Sequence, residues 1–505
     1  MTRTKSGSRR HATLTNIVFS YGTVIATLAQ ALLLVPLYLA YIDRNIYSSW
    51  LVSGSILNYL SMLDVGLADV ARQRIAKAFG AGDMPLVSDL FGATLAGLCI
   101  ASALVIIGSV LLAKFSSQFL NGSILLQSEL RLAILIAGTA LAITFLTYAM
   151  NALVYATQDT FALNVIWLVG HVLPLVLTPL MLWNNVGIKA ISISLLTSRI
   201  FILFCMSILA YRVWATRIRR PLRLHRISLV EMLGASLAVV FSRLASTIAS
   251  QSDAIFTNSF LGPSETLTYN ITTRPKESCL PLTDRLTGLA LPSLAHLSGE
   301  QNSTKTLEIG SRLILISAYL SLALTCLLLV LNASFTTLWV GKSFFGGAAL
   351  NALIALTLVL HGVRTACQNV LGSVGEFKVG ALASWLEAIV KVVLAPLLLT
   401  YFGIIGMALA TLASALVASS VLIHSVTTRL RGYPVLGDTE KMRWIALSPL
   451  ILWFAYFVGS SLNLTTWGQF ALAAPITVAG IAIAILGGFP EARKLCYLVS
   501  GALRR

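Results

Sequence analysis

The stretch Thr273–Arg285, TRPKESCLPLTDR, carries Arg274, Lys276, Glu277, Asp284 and Arg285 between runs of similar length that are almost free of charge. An ionisable side chain inside a membrane segment is costly, and it faces water, a partner or a substrate. The stretch therefore reads as the polar wall of a cavity that the rest of the chain is built to enclose.

Composition supports a membrane reading. The chain has 505 residues, 57% hydrophobic and 11% charged, with a mean hydropathy of +0.85. Soluble domains carry about 25% charged residues. The formal net charge of +17 could suggest nucleic acid, but the basic residues sit in short loops between apolar runs. That placement is the positive-inside pattern of a polytopic protein, so no nucleic-acid partner is expected. Six cysteines, Cys99, Cys205, Cys279, Cys326, Cys367 and Cys496, include no C-x-x-C pair, and no His/Cys cluster accompanies them. Neither a disulfide framework nor a metal site is expected. The basic N-terminus MTRTKSGSRRH precedes an apolar stretch too long for a signal-peptide core, and reads as a cytoplasmic tail before a retained helix.

A bilayer-spanning helix needs roughly 20 mostly apolar residues. Fourteen candidate spans follow: 14–40, 46–69, 86–113, 130–156, 161–183, 188–211, 229–253, 266–290, 311–331, 347–371, 378–400, 403–427, 443–462 and 467–488. The eighth contains the charged stretch. The fold class predicted is an all-α polytopic membrane protein of about 14 transmembrane helices, with two six-helix lobes plus two C-terminal helices. The organisation expected is a basic tail at 1–13, lobes at 14–211 and 229–427, a basic linker at 212–228, a loop and two extra helices at 428–488, and a basic tail at 489–505. With the N-terminus inside, outside loops hold only Arg44, Lys114, Arg131, Lys189 and Lys342 of the 36 Lys and Arg residues. Seven more lie within spans, and the rest are cytoplasmic, which places both termini inside. A faint internal echo relates the second and eighth spans. Tyr47 precedes Gly66-Leu67-Ala68 by the spacing at which Tyr269 precedes Gly288-Leu289-Ala290, as parallel repeats would give.

On a helix each residue turns about 100°. In the eighth span Arg274, Glu277, Pro281, Asp284, Arg285 and Gly288 share one face, and Lys276 lies on the other side. Further stripes are Asn16, Ser20, Thr23, Thr27 and Gln30 in the first span, and Ser236, Arg243, Ser246, Thr247, Ser250 and Asp253 in the seventh. The tenth aligns Thr357, His361, Arg364 and Gln368. Small and hydroxylated residues also serve as packing glue between membrane helices, and most of the Ser and Thr positions read that way. Glu387 and Lys391, at i and i+4, read as an internal ion pair. His171 and His361 are isolated in sequence and read as packing histidines rather than proton relays.

The charges read as lying inside the membrane are seven basic residues, Arg199, Arg243, Arg274, Lys276, Arg285, Arg364 and Lys391, against five acids, Asp64, Asp253, Glu277, Asp284 and Glu387. Guanidinium forks suit phosphate oxygens because they donate two parallel hydrogen bonds. An anionic, phosphate-bearing substrate is expected, held by a cavity of Arg243, Arg274, Arg285, Arg364, Glu277, Asp284, His361 and Gln368. Asp64 and Asp253 are the candidates for ion coupling. No P-loop, nucleophile elbow or metal motif is present, and no outside connection is long enough to carry paired catalytic carboxylates. Transport without a cofactor fits better than catalysis.

The run LLLVPLYLAYIDRNIYSSWLVSGSILNYLSMLDVGLADVARQRIAKAFGAGD, with Pro36, Tyr38, Tyr47, Trp50, Asp64 and Gly66 in place, resembles the first two helices of polysaccharide flippases. These belong to the multidrug/oligosaccharidyl-lipid/polysaccharide exporter superfamily. The chain departs from their pattern at IDRN, where a Leu-Gly is common. FTNSFLGPSETLTYN, Phe256–Asn270, keeps the Leu-Gly that precedes the eighth helix. The resemblance implies two six-helix lobes in a V around a central cavity. It implies a flippase of the bacterial inner membrane, carrying a polyprenyl-diphosphate-linked oligosaccharide outward by alternating access, with polysaccharide polymerase and glycosyltransferases as partners. Arg243, Arg274, Arg285 and Arg364 are its candidate cavity arginines as a class. The alternatives are an ion-coupled drug or cation antiporter of the same fold, and a membrane-embedded glycan polymerase or ligase.

Overall fold

A computed structural model describes residues 4–116, 124–156, 160–222, 226–299, 303–373, 375–429 and 438–503. The chain is an all-α polytopic membrane protein. Its helices are α1 (Thr4–Tyr41), α2 (Arg44–Leu60), α3 (Leu67–Gly80), α4 (Met84–Phe115), α5 (Ile124–Ala156), α6 (Thr160–Trp183), α7 (Lys189–Val213) and α8 (Arg226–Leu261). There follow α9 (Pro263–Gly299), α10 (Ser303–Val340), α11 (Ala348–Ser373), α12 (Phe377–Phe402), α13 (Ile404–Arg429), α14 (Asp438–Ser461), α15 (Trp467–Gly488) and α16 (Pro490–Leu503). Among the described residues, 12 spans are long and apolar enough to cross a membrane. The charged helices α8 and α9, of 36 and 37 residues, have ample length besides. By contacts the chain divides into two compact units, Met1–Thr247 and Ile248–Arg505.

Helix starts are written locally. The Asp43 carboxylate accepts from the backbone N–H of Asn45 at 2.9 Å and of Ile46 at 3.3 Å. It thereby caps α2 and gives the unusual IDRN a structural role. Asp83 caps α4 through the N–H of Leu86 at 3.0 Å, with Pro85 in the first turn where no N–H is needed.

Helices are joined by hydroxyl-to-carbonyl bonds between neighbours. Ser102 donates to Ala142 O at 2.9 Å, Ser198 to Gly170 O at 2.7 Å and Ser317 to Gly362 O at 2.7 Å. Most other hydroxyls turn back on their own helix, as Ser53 does to Ser49 O at 2.8 Å. In hydrocarbon such bonds satisfy polar groups that water cannot reach, so these stripes are packing glue. His171 behaves likewise: its Nδ1 meets the Trp167 carbonyl at 2.8 Å, and the His171 backbone carbonyl accepts from the Gln30 amide. The side chains of Asn16, Ser20 and Ser236 lie outside the described residues.

Two elements depart from the sequence reading. The C-terminal basic tail folds as α16, whose Leu495 and Ala492 are buried; the preceding Phe489 packs its ring, tilted, 5.3 Å from that of Trp444 and 5.4 Å from that of Tyr319. The second span is also broken, at Ser61–Gly66, whereas α9 runs unbroken through Gly288. The echo in spacing is thus not an echo in backbone. Where the second span has Asp64 two residues before its glycine, the eighth has Leu286, which has no oxygen to hold a turn.

Candidate functional site

In the first unit the site is organised by the break after α2. Ser61–Asp64 form one 3₁₀ turn, and Val65 and Gly66 then take left-handed φ values of 51° and 66°. Asp64 Oδ1 accepts the Gly66 N–H at 3.1 Å, so the carboxylate holds the elbow that turns the chain into α3. Left-handed geometry is ordinary for glycine and strained for a β-branched valine. The elbow opens a cavity of about 350 Å³ lined by Asp64, Asp69, Arg72, Tyr148, Arg243 and Thr247. Arg243 of α8 donates to Asp69 of α3 at 2.5 Å, and Arg72 stands 3.9 Å from the same carboxylate. The Arg72 guanidinium also lies 5.2 Å from the centre of the Tyr155 ring, a cation–π contact. Two carboxylates and two guanidiniums thus share one small polar chamber.

In the second unit charges are linked across α8, α9, α11 and α12. Asp284 of α9 meets His361 Nε2 of α11 at 2.8 Å. One turn on, Arg364 Nη2 approaches His361 Nδ1 at 3.4 Å, and its Nη1 donates to Glu387 of α12. A neutral ring satisfies both neighbours if Nε2 carries the proton and Nδ1 accepts from Arg364. Four residues further along α12, Lys391 is almost fully buried. Its ammonium binds the Asp253 carboxylate of α8 and donates to the Ala249 carbonyl at 2.5 Å. The buried Tyr269 hydroxyl donates to the other Asp253 oxygen at 3.0 Å. On α9 itself, Arg274 stands 3.6 Å from Glu277. Gln368 reaches Ser384 at 3.5 Å.

The site residues anticipated from sequence are therefore distributed. Asp64 and Arg243 line the first-unit chamber. Asp284, His361, Arg364 and Asp253 belong to the second-unit network, and Arg274 and Glu277 pair on α9. Arg285 lies half-buried one residue beyond Asp284. Three sequence readings meet partners that the sequence did not show. Glu387 and Lys391 are not partners, because each is claimed by another helix that the sequence could not place beside α12. Asp253, the candidate for ion coupling, binds the Lys391 ammonium. His361, read as isolated, is joined to Asp284 and Arg364. Asp69 and Arg72 were missed because they follow Gly66 and read as the start of a cytoplasmic loop. Their i,i+3 spacing was the available signal.

A scan against models of known families finds no match, and a search of curated proteins finds none. Solved structures do match. An inward-facing MATE multidrug-resistance transporter of the MOP superfamily superimposes with a TM-score of 0.67 at 16% identity, over 81% of this chain and 95% of that one. The lipid II flippase MurJ in an inward closed conformation gives a TM-score of 0.65 at 14% identity, over 97% of this chain and 100% of that one. The Vibrio cholerae MATE transporter VcmN in its bent form gives 0.60 at 17% identity, over 84% of this chain and 98% of that one. The protein has the fold of these transporters.

Proposed function

We propose that the protein is a flippase of the bacterial inner membrane with both termini cytoplasmic. It moves a polyprenyl-diphosphate-linked oligosaccharide from the cytoplasmic to the outer leaflet, by alternating access around a cationic cavity, for surface polysaccharide synthesis. The observation that carries this reading is the charge balance inside the second unit. Arg274, Lys276, Arg285, Arg364 and Lys391 stand against four acids, of which Asp253, Glu277 and Glu387 pair with Lys391, Arg274 and Arg364, and Asp284 meets the His361 ring. A diphosphate would compete with Glu277 and Glu387 for guanidiniums that are paired but only partly buried. The reading also draws support from the fold likeness to a lipid flippase, which extends over 97% of the chain, the last two spans included. Polysaccharide polymerase and glycosyltransferases would be working partners.

The test is surface display. Replacing Arg274 and Arg285 with alanine together should abolish surface glycan while the protein still inserts and accumulates in the membrane. Normal glycan in that double variant overturns the proposal.

One observation favours a second reading, an ion-coupled drug or cation antiporter. The first-unit chamber holds two carboxylates, Asp64 and Asp69, and the fold is shared with multidrug transporters. Ion-driven efflux of a cationic dye from vesicles containing the purified protein would select it. Under the flippase reading no such efflux occurs.

A further inference from the structure

A second chamber lies at the other end of the chain's charge asymmetry. In the second unit, a cavity of about 380 Å³ opens where α10 ends, α11 begins and α14 gives way to its connection to α15. The polar side chains at its wall include Ser334, Thr337, Lys342, Tyr456, Ser460 and Asn463. None of its lining residues is Asp or Glu. Lys342 is exposed and has no ion-pair partner among the described residues, whereas the outside-loop Lys189 stands 3.4 Å from Glu129. The Ser334, Thr337 and Ser460 hydroxyls donate to the carbonyls of Leu462, Ala333 and Phe457, so the donors left at the wall are the Lys342 ammonium, the Tyr456 hydroxyl and the Asn463 amide; a cation with no carboxylate beside it favours an anion.

The chamber is built on a fixed frame. α14 presses so closely on α10 at Gly459 that a Cβ there would meet the Leu329 carbonyl. Ser334 reaches Leu462 O at 3.4 Å. Asn351, itself at the wall, accepts from Asn332 at 2.7 Å, and Asn332 donates to Thr272 O at 3.1 Å. These buried amides tie the end of α10 to the start of α11 and to α9, so the cavity does not depend on a ligand to form.

Its surroundings identify the class of occupant. Phe335, Trp339, Trp467 and Phe470 make one aromatic cluster at this end of the unit, with ring centres 5.4–6.1 Å apart. Tryptophans at a helix end mark the headgroup level of a bilayer. The adjoining α14 exposes Trp453, Phe454 and Phe457, an apolar surface suited to acyl chains. We propose that this chamber binds the phosphate headgroup of an anionic phospholipid of the outer leaflet, with Lys342 against the phosphate and the Tyr456 hydroxyl and the Asn463 amide against the polar remainder of the headgroup. This site is separate from the charged network of α8, α9, α11 and α12 and does not rest on the flippase reading.

The test is native mass spectrometry of the full chain in detergent with added phosphatidylglycerol or phosphatidylcholine of the same acyl chains. One lysine near the membrane surface is worth about 1 kcal/mol for an anionic lipid, about fivefold in occupancy. Wild type should retain one phosphatidylglycerol about fivefold over phosphatidylcholine. Lys342→Arg should keep that preference, and Lys342→Glu should erase it. Asn463→Asp, which puts a carboxylate at the wall without touching the lysine, should erase it independently. Equal retention of the two lipids by wild type, or an intact preference in both Lys342→Glu and Asn463→Asp, overturns the proposal. So does displacement of the bound lipid by millimolar glycerol 3-phosphate, which would make the site one for a soluble phosphate.

Discussion

Glu387 and Lys391 stand one turn apart on α12, and each is bonded to a different helix rather than to the other. Arg364 of α11 takes Glu387, and Asp253 of α8 takes Lys391. A pair within one helix would fasten α12 to nothing. The exchange fastens it to two neighbours and leaves no isolated charge among the four residues.

Breaking half of that arrangement should be costly. Lys391→Met leaves Asp253 with the Tyr269 hydroxyl alone, and removing one partner of a buried pair typically costs about 3–5 kcal/mol. Adding Asp253→Asn removes the stranded charge and should recover most of the loss. Thermal melting of the single and double variants in detergent checks this. A double variant no more stable than Lys391→Met would show that the pair is not what the single change disturbs.

The Arg243–Asp69 pair should behave differently. Its side chains are 48% and 44% exposed, and exposed pairs contribute about 0–1 kcal/mol. Arg243→Ala should therefore leave the melting temperature nearly unchanged while lowering transport, read as surface glycan. A large fall in stability would mark Arg243 as a structural strut.

The elbow after Asp64 depends on backbone geometry. Gly66 takes a φ of 66°, where a residue with a Cβ costs about 1–2 kcal/mol. Gly66→Val should lower stability by about that amount. Val65→Asn should do the reverse or leave it unchanged, since asparagine tolerates the left-handed region better than valine does. Melting curves of the two variants check the pair. Equal effects of the same sign would mean that φ is not what matters there.

Gly459 sits where α14 crosses the α10 backbone. Gly459→Val must push the helices apart, and overpacking of this kind costs about 1–3 kcal/mol. The same change at Gly480 of α15, where a Cβ meets open space, should be nearly silent. A scan of both variants by thermal melting separates close approach from a general intolerance of valine.

The sequence by itself determined the fold class. Long apolar runs must satisfy their own backbone in lipid, so they are helices wherever they fall, and the scarcity of charge made Thr273–Arg285 visible at once. Local chemistry was read only in part. The caps Asp43 and Asp83 went unremarked in the sequence, although a carboxylate that reaches backbone amides a few residues away is a local signal. Asp64 and Arg243 were marked as notable because a charge in an apolar run stands out. Only the tertiary structure decided who faces whom. Asp69 and Arg243 are 174 positions apart, as are no two residues that helical periodicity can relate, yet they meet at 2.5 Å. Periodicity assigns a residue to a face of its own helix and says nothing about which helix lies opposite. For that reason Glu387 and Lys391 looked like each other's partner, His361 looked solitary, and two spans with the same Tyr-to-Gly spacing folded one with an elbow and one without.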